Sequence, residues 1–147
     1  MTKIRIKRMS PWAKLPARAT AGSAGCDLCA ATEGKTRVPA GETVKIPTGI
    51  SVGIPTRELV GLVFARSGLS VNAGVSLANA VAVIDSDYRG EIVVALRNHS
   101  PNDYFVEAGE RIAQLLVMPV VLFEFEEADE LGNTQRGDGG FGSTGTR

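Results

Sequence analysis

Aromatic residues make up only 5% of this sequence, histidine occurs once and cysteine twice. A zinc site wants a second cysteine pair or two histidines, so the lone Cys26-x-x-Cys29 with His99 falls short of one. A thioredoxin-like site would want a helix after the first cysteine, whereas Asp27 to Thr32 lies between turn signals. The two cysteines read as small core or near-core residues, and His99, in a turn-rich loop, takes no role. Net charge is absent too, with Lys plus Arg and Asp plus Glu at 16 each. Nothing therefore suggests a nucleic-acid partner or an anionic membrane surface. The longest apolar run, Leu115 to Phe123, falls far below the ~20 residues that span a bilayer, and Pro119 interrupts it. The N-terminus alternates charge with isoleucine and lacks the apolar core of a signal peptide. A soluble, cytoplasmic protein is the expectation.

What is present is a core made of short pieces. A chain of 147 residues with 44% apolar content fits one domain. Seventeen glycines and seven prolines point to many short elements joined by turns. Ile4 and Ile6 alternate with Lys3, Arg5 and Lys7 as in a half-buried strand. Ser10 to Ala24 reads as an irregular crossing segment, and Cys26 to Ala31 as a short strand holding Asp27. Turns at Pro39-Ala40-Gly41 and Pro47-Thr48-Gly49 bracket Val44 and Ile46. Ile50, Val52 and Ile54 alternate, and Leu59 to Ala65 is a further apolar run. Glu110 to Met118 fits either a helix or a strand by period. Val120 to Phe125, β-branched and aromatic, reads as a strand. About ten short strands predict an all-β sandwich, jelly roll or barrel.

Three stretches carry chemistry. Asn79 to Ile92 reads as a β-hairpin with arms Leu77 to Ile84 and Ile92 to Leu96, carrying Asp85, Asp87 and Tyr88 on a stiff frame. The plain alternative is a charged hairpin tip. Arg66-Ser67-Gly68 offers an anion site if Ser67 caps a short helix running toward Val71; an ordinary strand-to-turn junction is the alternative. Arg136 to Gly145 is glycine-rich with only Phe141 apolar, and cannot bury enough to fix itself. Glycines admit an anion to the backbone, Ser143 and Thr144 add hydroxyls, and Arg136 offers a bidentate fork. Residues 136–147 thus read as a flap or a frayed tail on a domain of residues 1–135.

Five segments in order resemble the motifs of the homotrimeric dUTP pyrophosphatase (dUTPase) family: A-G-C-D-L at 24–28, A-R-S-G-L at 65–69 and N-A-V-A-V-I-D-S-D-Y-R-G at 79–90. G-E-R-I-A-Q-L at 109–115 and R-G-D-G-G-F-G-S-T-G at 136–145 complete the set. The resemblance implies a jelly-roll-like, distorted β-barrel with one short helix, and it makes Glu110 to Met118 a strand. It implies a homotrimer with shared sites, the mobile tail completing a neighbouring subunit's site. The implied reaction is Mg²⁺-dependent hydrolysis of dUTP to dUMP and pyrophosphate, which lowers dUTP and supplies dUMP for dTTP synthesis.

By the same resemblance, Asp85 activates the water that attacks the α-phosphorus, Tyr88 lies under the deoxyribose, and Asn79 reads the uracil edge. The backbone at Val83, Ile84 and Val93 contacts the base, and Phe141 stacks on it. Arg66, Ser67, Gly68 and Gln114 match phosphate-binding positions, as do Arg136, Gly142, Ser143 and Thr144 in the tail. Asp27 matches a carboxylate that holds Mg²⁺ through water. Two departures stand out: Ala82 replaces the usual Gly beside the uracil, where a methyl would either crowd the base or force a different backbone angle, and Ala65 replaces a common Pro. The rival functions are a dCTP-deaminase-like relative, separable by its base pocket, and a catalytically silent nucleotide-binding trimer, which would not need Asp85.

Overall fold

Short β-branched runs set between turns build a structure almost wholly of strands. The computed structural model describes residues 2–141, 143 and 145. In chain order the strands are β1 (Arg5–Arg8), β2 (Cys26–Cys29), β3 (Thr36–Val38), β4 (Thr43–Pro47), β5 (Ile50–Gly53) and β6 (Leu59–Ala65). The helix α1 (Ser67–Ala73) follows, then β7 (Val75–Leu77), β8 (Val81–Ile84), β9 (Val93–Asn98), β10 (Tyr104–Val106) and β11 (Arg111–Pro119). All pairings are antiparallel, with β2-β11-β6-β8 in one sheet, β4-β9-β7 in a second, and β1-β5 and β3-β10 as two-stranded ribbons. Leu28, Ile46, Ile50, Leu96 and Ile112 are fully buried in the single core these sheets enclose. This is the expected all-β, jelly-roll-like barrel with one short helix.

The ambiguous stretch is a strand. β11 lies between β2 and β6, and at its register shift between Arg111 and Ala113 the neighbours Ile112 and Ala113 are both buried in the one core. Two adjacent buried residues at such an irregularity break the period of two, so alternation alone does not identify the strand. The turns at Gly41 and Gly49 are present, each with its glycine in the left-handed region (φ 71° and 67°) where a Cβ is disfavoured. β1 forms as expected but is exposed along its length, Ile6 included. Cys26 and Cys29 are free and half-buried on β2. His99 accepts or donates one bond with the Ser76 hydroxyl, 2.8 Å away.

Three expectations fail. The stretch Asn79 to Ile92 is no hairpin, because β8 pairs with β6 while β9 lies between β4 and β7 in the other sheet. Each run has one apolar face, Ala82 and Ile84 on β8, Val94 and Leu96 on β9. Alternation reveals the buried face but not the neighbour that covers it. Val120 to Phe125 is not a strand either. After Val120 donates its N–H to the Glu58 carbonyl, the chain leaves the body with Val121, Phe123 and Phe125 at 80%, 69% and 93% exposure. The propensity is there, but propensity alone does not supply a pairing partner. Finally, Ser67 does not cap α1: Arg66 occupies that position in extended conformation, with no side-chain cap bond.

Candidate active site

The register of β11 builds the first half of the site. Gln114 stands opposite Asp27 of β2 on one side and Phe64 of β6 on the other. That row brings Asp27 beside Arg66, which leaves the end of β6. The Arg66 Nε–H donates to Asp27 Oδ1 at 3.0 Å, and Arg111 Nη1 donates to Asp27 Oδ2 at 3.1 Å. Arg111 reaches Asp27 because β11 shifts register between Arg111 and Ala113, an irregularity of the kind that re-aims side chains. Gln114 Nε2 donates to the Ala65 carbonyl at 3.1 Å. Asp27, Arg66, Ser67, Gly68 and Gln114 line one cleft of about 580 Å³. The first bond of α1 runs from Ser70 N–H to the Arg66 carbonyl, so the N–H groups of its opening residues have no partner within the helix.

Arg111 lies inside the segment G-E-R-I-A-Q-L, yet no local pattern singles it out. Only the strand register reveals that it shares Asp27 with Arg66. Burial pushes the Cys29 thiol up, against the lowering effect of Lys14. A thiol in that state is a poor nucleophile. Behind the cleft, Tyr104 Oη donates to Glu110 Oε1 in a short bond; burial first, and then that bond, raise the phenol above its ordinary value. Tyr104 is therefore a neutral strut.

The other expected residues form a separate group around β8. Val81 and Val83 point outward, at 38% and 60% exposure, and Val93 begins β9 at 45%. Ile84 faces the core. Asn79 precedes β8 and Asp85 follows it, both exposed. Ala82 also packs toward the core and has no positive φ. Its methyl is therefore turned toward the core, away from the outward face that Val81 and Val83 form. The unusual backbone lies two residues earlier. Ala80 has φ 58°, and Val81 N–H donates to the Asn79 carbonyl at 2.6 Å, closing a γ-turn of the rarer, strained hand.

Within one chain the two groups sit apart. β8 starts opposite Phe64 and ends opposite Gly61, so its Asn79 end lies near Arg66 and its Asp85 end does not. Four strand steps of ~3.3 Å place Asp85 ~13 Å along the strand from Val81. Among the described residues the tail joins neither group: Arg136 Nε donates to the Gly139 carbonyl, Ser143 N–H to the Gly140 carbonyl, and Phe141 is fully exposed. Gly142 and Thr144 lie outside the described residues.

The dUTPase family model matches residues 12–145. The chain belongs to the dUTPase family. It is similar to the deoxyuridine 5'-triphosphate nucleotidohydrolase of Desulfitobacterium hafniense, at 49% identity over 97% of this chain and 95% of that one. The corresponding protein of Acinetobacter baylyi is 42% identical over 99% and 97%. Among solved structures, the dUTPase of Staphylococcus bacteriophage 80alpha with dUpNHpp superposes with TM-score 0.89 at 27% identity, covering 99% of each chain. As a dUTPase family member, the chain thus divides its motif residues between two faces.

Proposed function

We propose that this chain hydrolyses dUTP to dUMP and pyrophosphate, with Asp85 aligning a water on the α-phosphorus. What carries this reading is the cleft itself, lined by Asp27, the Arg66 guanidinium and Gln114, with Arg111 pairing Asp27 from beside it, in a dUTPase-family chain. Arg66, with Ser67, Gly68 and Gln114, binds the phosphates; bidentate guanidinium contacts suit their oxygens. The exposed Asp85 carboxylate takes a proton from the water as its oxygen bonds to phosphorus and the bond to pyrophosphate breaks. Asn79 reads the uracil edge with one donor and one acceptor, beside backbone contacts from Val83, Ile84 and Val93. Tyr88 supports the deoxyribose.

Among the described residues no three His, Cys, Asp or Glu side chains gather as a metal cage. Each Asp27 oxygen accepts one guanidinium N–H and keeps a lone pair for water, which fits a hydrated hard cation arriving with the phosphates. Mg²⁺ supplies charge neutralisation on the triphosphate when bound, and Asp27 would hold it through water.

The active unit is a homotrimer in which copies of the chain share each site. Two observations support this: the ~13 Å of β8 between Asp85 and the Arg66 end, and the exposed, largely apolar segment from Val120 to Phe125. The tail, with Arg136, Phe141, Gly142, Ser143 and Thr144, closes over the γ-phosphate and base of a neighbour's site and excludes water.

Asp85→Asn tests the chemistry. Turnover should fall about 10²–10⁴-fold, the range of a lost general base, with dUTP affinity largely kept. Near-normal turnover would remove Asp85 from the mechanism.

A further inference from the structure

The segment between β8 and β9 spans Asp85 to Ile92 and bridges two sheets, so no ladder of its own holds it. Locally it has the Tyr88 N–H bond to the Asp85 carbonyl and the Arg89 guanidinium donating to the Ser86 and Tyr88 carbonyls. Every longer tie runs to one place, the turn between β4 and β5. Ser51 Oγ–H donates to the Arg89 carbonyl at 2.8 Å, and Gly49 N–H to Glu91 Oε1 at 2.7 Å. Thr48 Oγ1–H donates to the Ile92 carbonyl at 2.5 Å, and Ile92 N–H to the Ile50 carbonyl at 2.9 Å. Thr48 and Ser51 are buried, at 1% and 6% exposure, so these hydroxyls face no competing water.

Tyr88 rests on this arrangement. Its Oη–H donates to the Glu91 carbonyl at 2.9 Å, which folds the ring back over Gly90. A Cβ at Gly90 would lie 2.3 Å from Tyr88 Oη and 2.5 Å from Cζ. Gly90 has no positive φ, so glycine is needed there for room and not for backbone freedom.

We infer that Ser51, Gly90 and Glu91 are positioning residues that set the height of the Tyr88 ring, and through it the discrimination between deoxyribose and ribose nucleotides. This rests on the dUTPase reading above. The Arg89 and Ile92 carbonyls and the Glu91 side chain, all held by Thr48 to Ser51, flank the Glu91 carbonyl on which the ring leans, so sugar selection is controlled from outside the Asp85–Tyr88 stretch.

The test measures kcat/KM for dUTP and UTP, the affinity for dUDP and UDP by calorimetry, and melting temperature. The full-length chain is compared with Ser51→Ala, Gly90→Ala, Glu91→Ala and Glu91→Gln. Ser51→Ala, Gly90→Ala and Glu91→Ala should each raise the UTP-to-dUTP ratio about ten-fold or more, because the ring no longer blocks the added hydroxyl. Glu91→Gln keeps an oxygen acceptor for Gly49 N–H and should retain the original ratio. Variants that melt earlier at an unchanged ratio would overturn the inference, since the contacts would then be structural only. The diphosphate affinities carry the same ratio without turnover. An unaltered chain that fails to hydrolyse dUTP would therefore sink the dUTPase reading, while this inference would still be decided by those affinities.

Discussion

Asp27→Asn is the substitution that most directly probes how the cleft is organised. Asp27 is 16% exposed and holds Arg66, at 29%, and Arg111, at 51%, on separate oxygens. Asparagine keeps one carbonyl for Arg66 but turns an NH₂ toward Arg111, setting donor against donor. A charge-assisted, partly buried bond contributes about 1.5–3 kcal/mol, and losing the anion removes roughly half of it. The more exposed Arg111 pair adds only about 0.2–1 kcal/mol. The expected loss is therefore about 1–2.5 kcal/mol, or roughly 2–10 °C in melting temperature at the ~2–4 °C per kcal/mol of a domain of this size. Activity should suffer more: an Arg66 displaced by ~1 Å costs on the order of 10²-fold in kcat/KM. Calorimetric melting beside pyrophosphate release reads both, and added salt should erase only the Arg111 share. Unchanged melting and unchanged kcat/KM would refute the view that Asp27 aligns the two arginines.

Three other outcomes follow from particular contacts. Gly25→Ala places a Cβ 2.7 Å from Gln114 Oε1 and 3.0 Å from Leu116 Cδ1; KM for dUTP should rise with little change in melting, and an unaltered KM would separate Gln114 from substrate. The Tyr104 phenol is raised from 10.0 by burial first and then by Glu110. The folded chain therefore keeps a proton that the unfolded chain releases, and stability that is full below pH 10 declines above it. Tyr104→Phe should be less stable than the parent at pH 8 and should close that gap in alkali; parallel pH profiles would contradict this. Deleting residues 136–147 should abolish most turnover and leave melting unchanged, because the described bonds of that segment are all internal to residues 134–143. A full rate in the truncated chain would remove the flap from the mechanism.

The chemistry-bearing residues were legible in the sequence because each sits in a short, dense motif. What joins them was not. Arg111 reaches Asp27 through a register shift in β11, and no local pattern encodes cross-strand register. The β8–β9 connection reads as a hairpin because two β-branched runs flank a polar, Gly-containing link, but such a pattern does not name the partner strand. Val120 to Phe125 has every local mark of a strand, yet no strand among the described residues pairs with it. Ala82 drew attention by type, yet its methyl packs inward, and the strained residue is Ala80.

The central claim is tested most directly by Mg²⁺-supported pyrophosphate release from dUTP, dCTP, dTTP and UTP, measured side by side on the full-length chain. Release from dUTP alone is the expected result. Comparable release from all four, or none from dUTP, would contradict it.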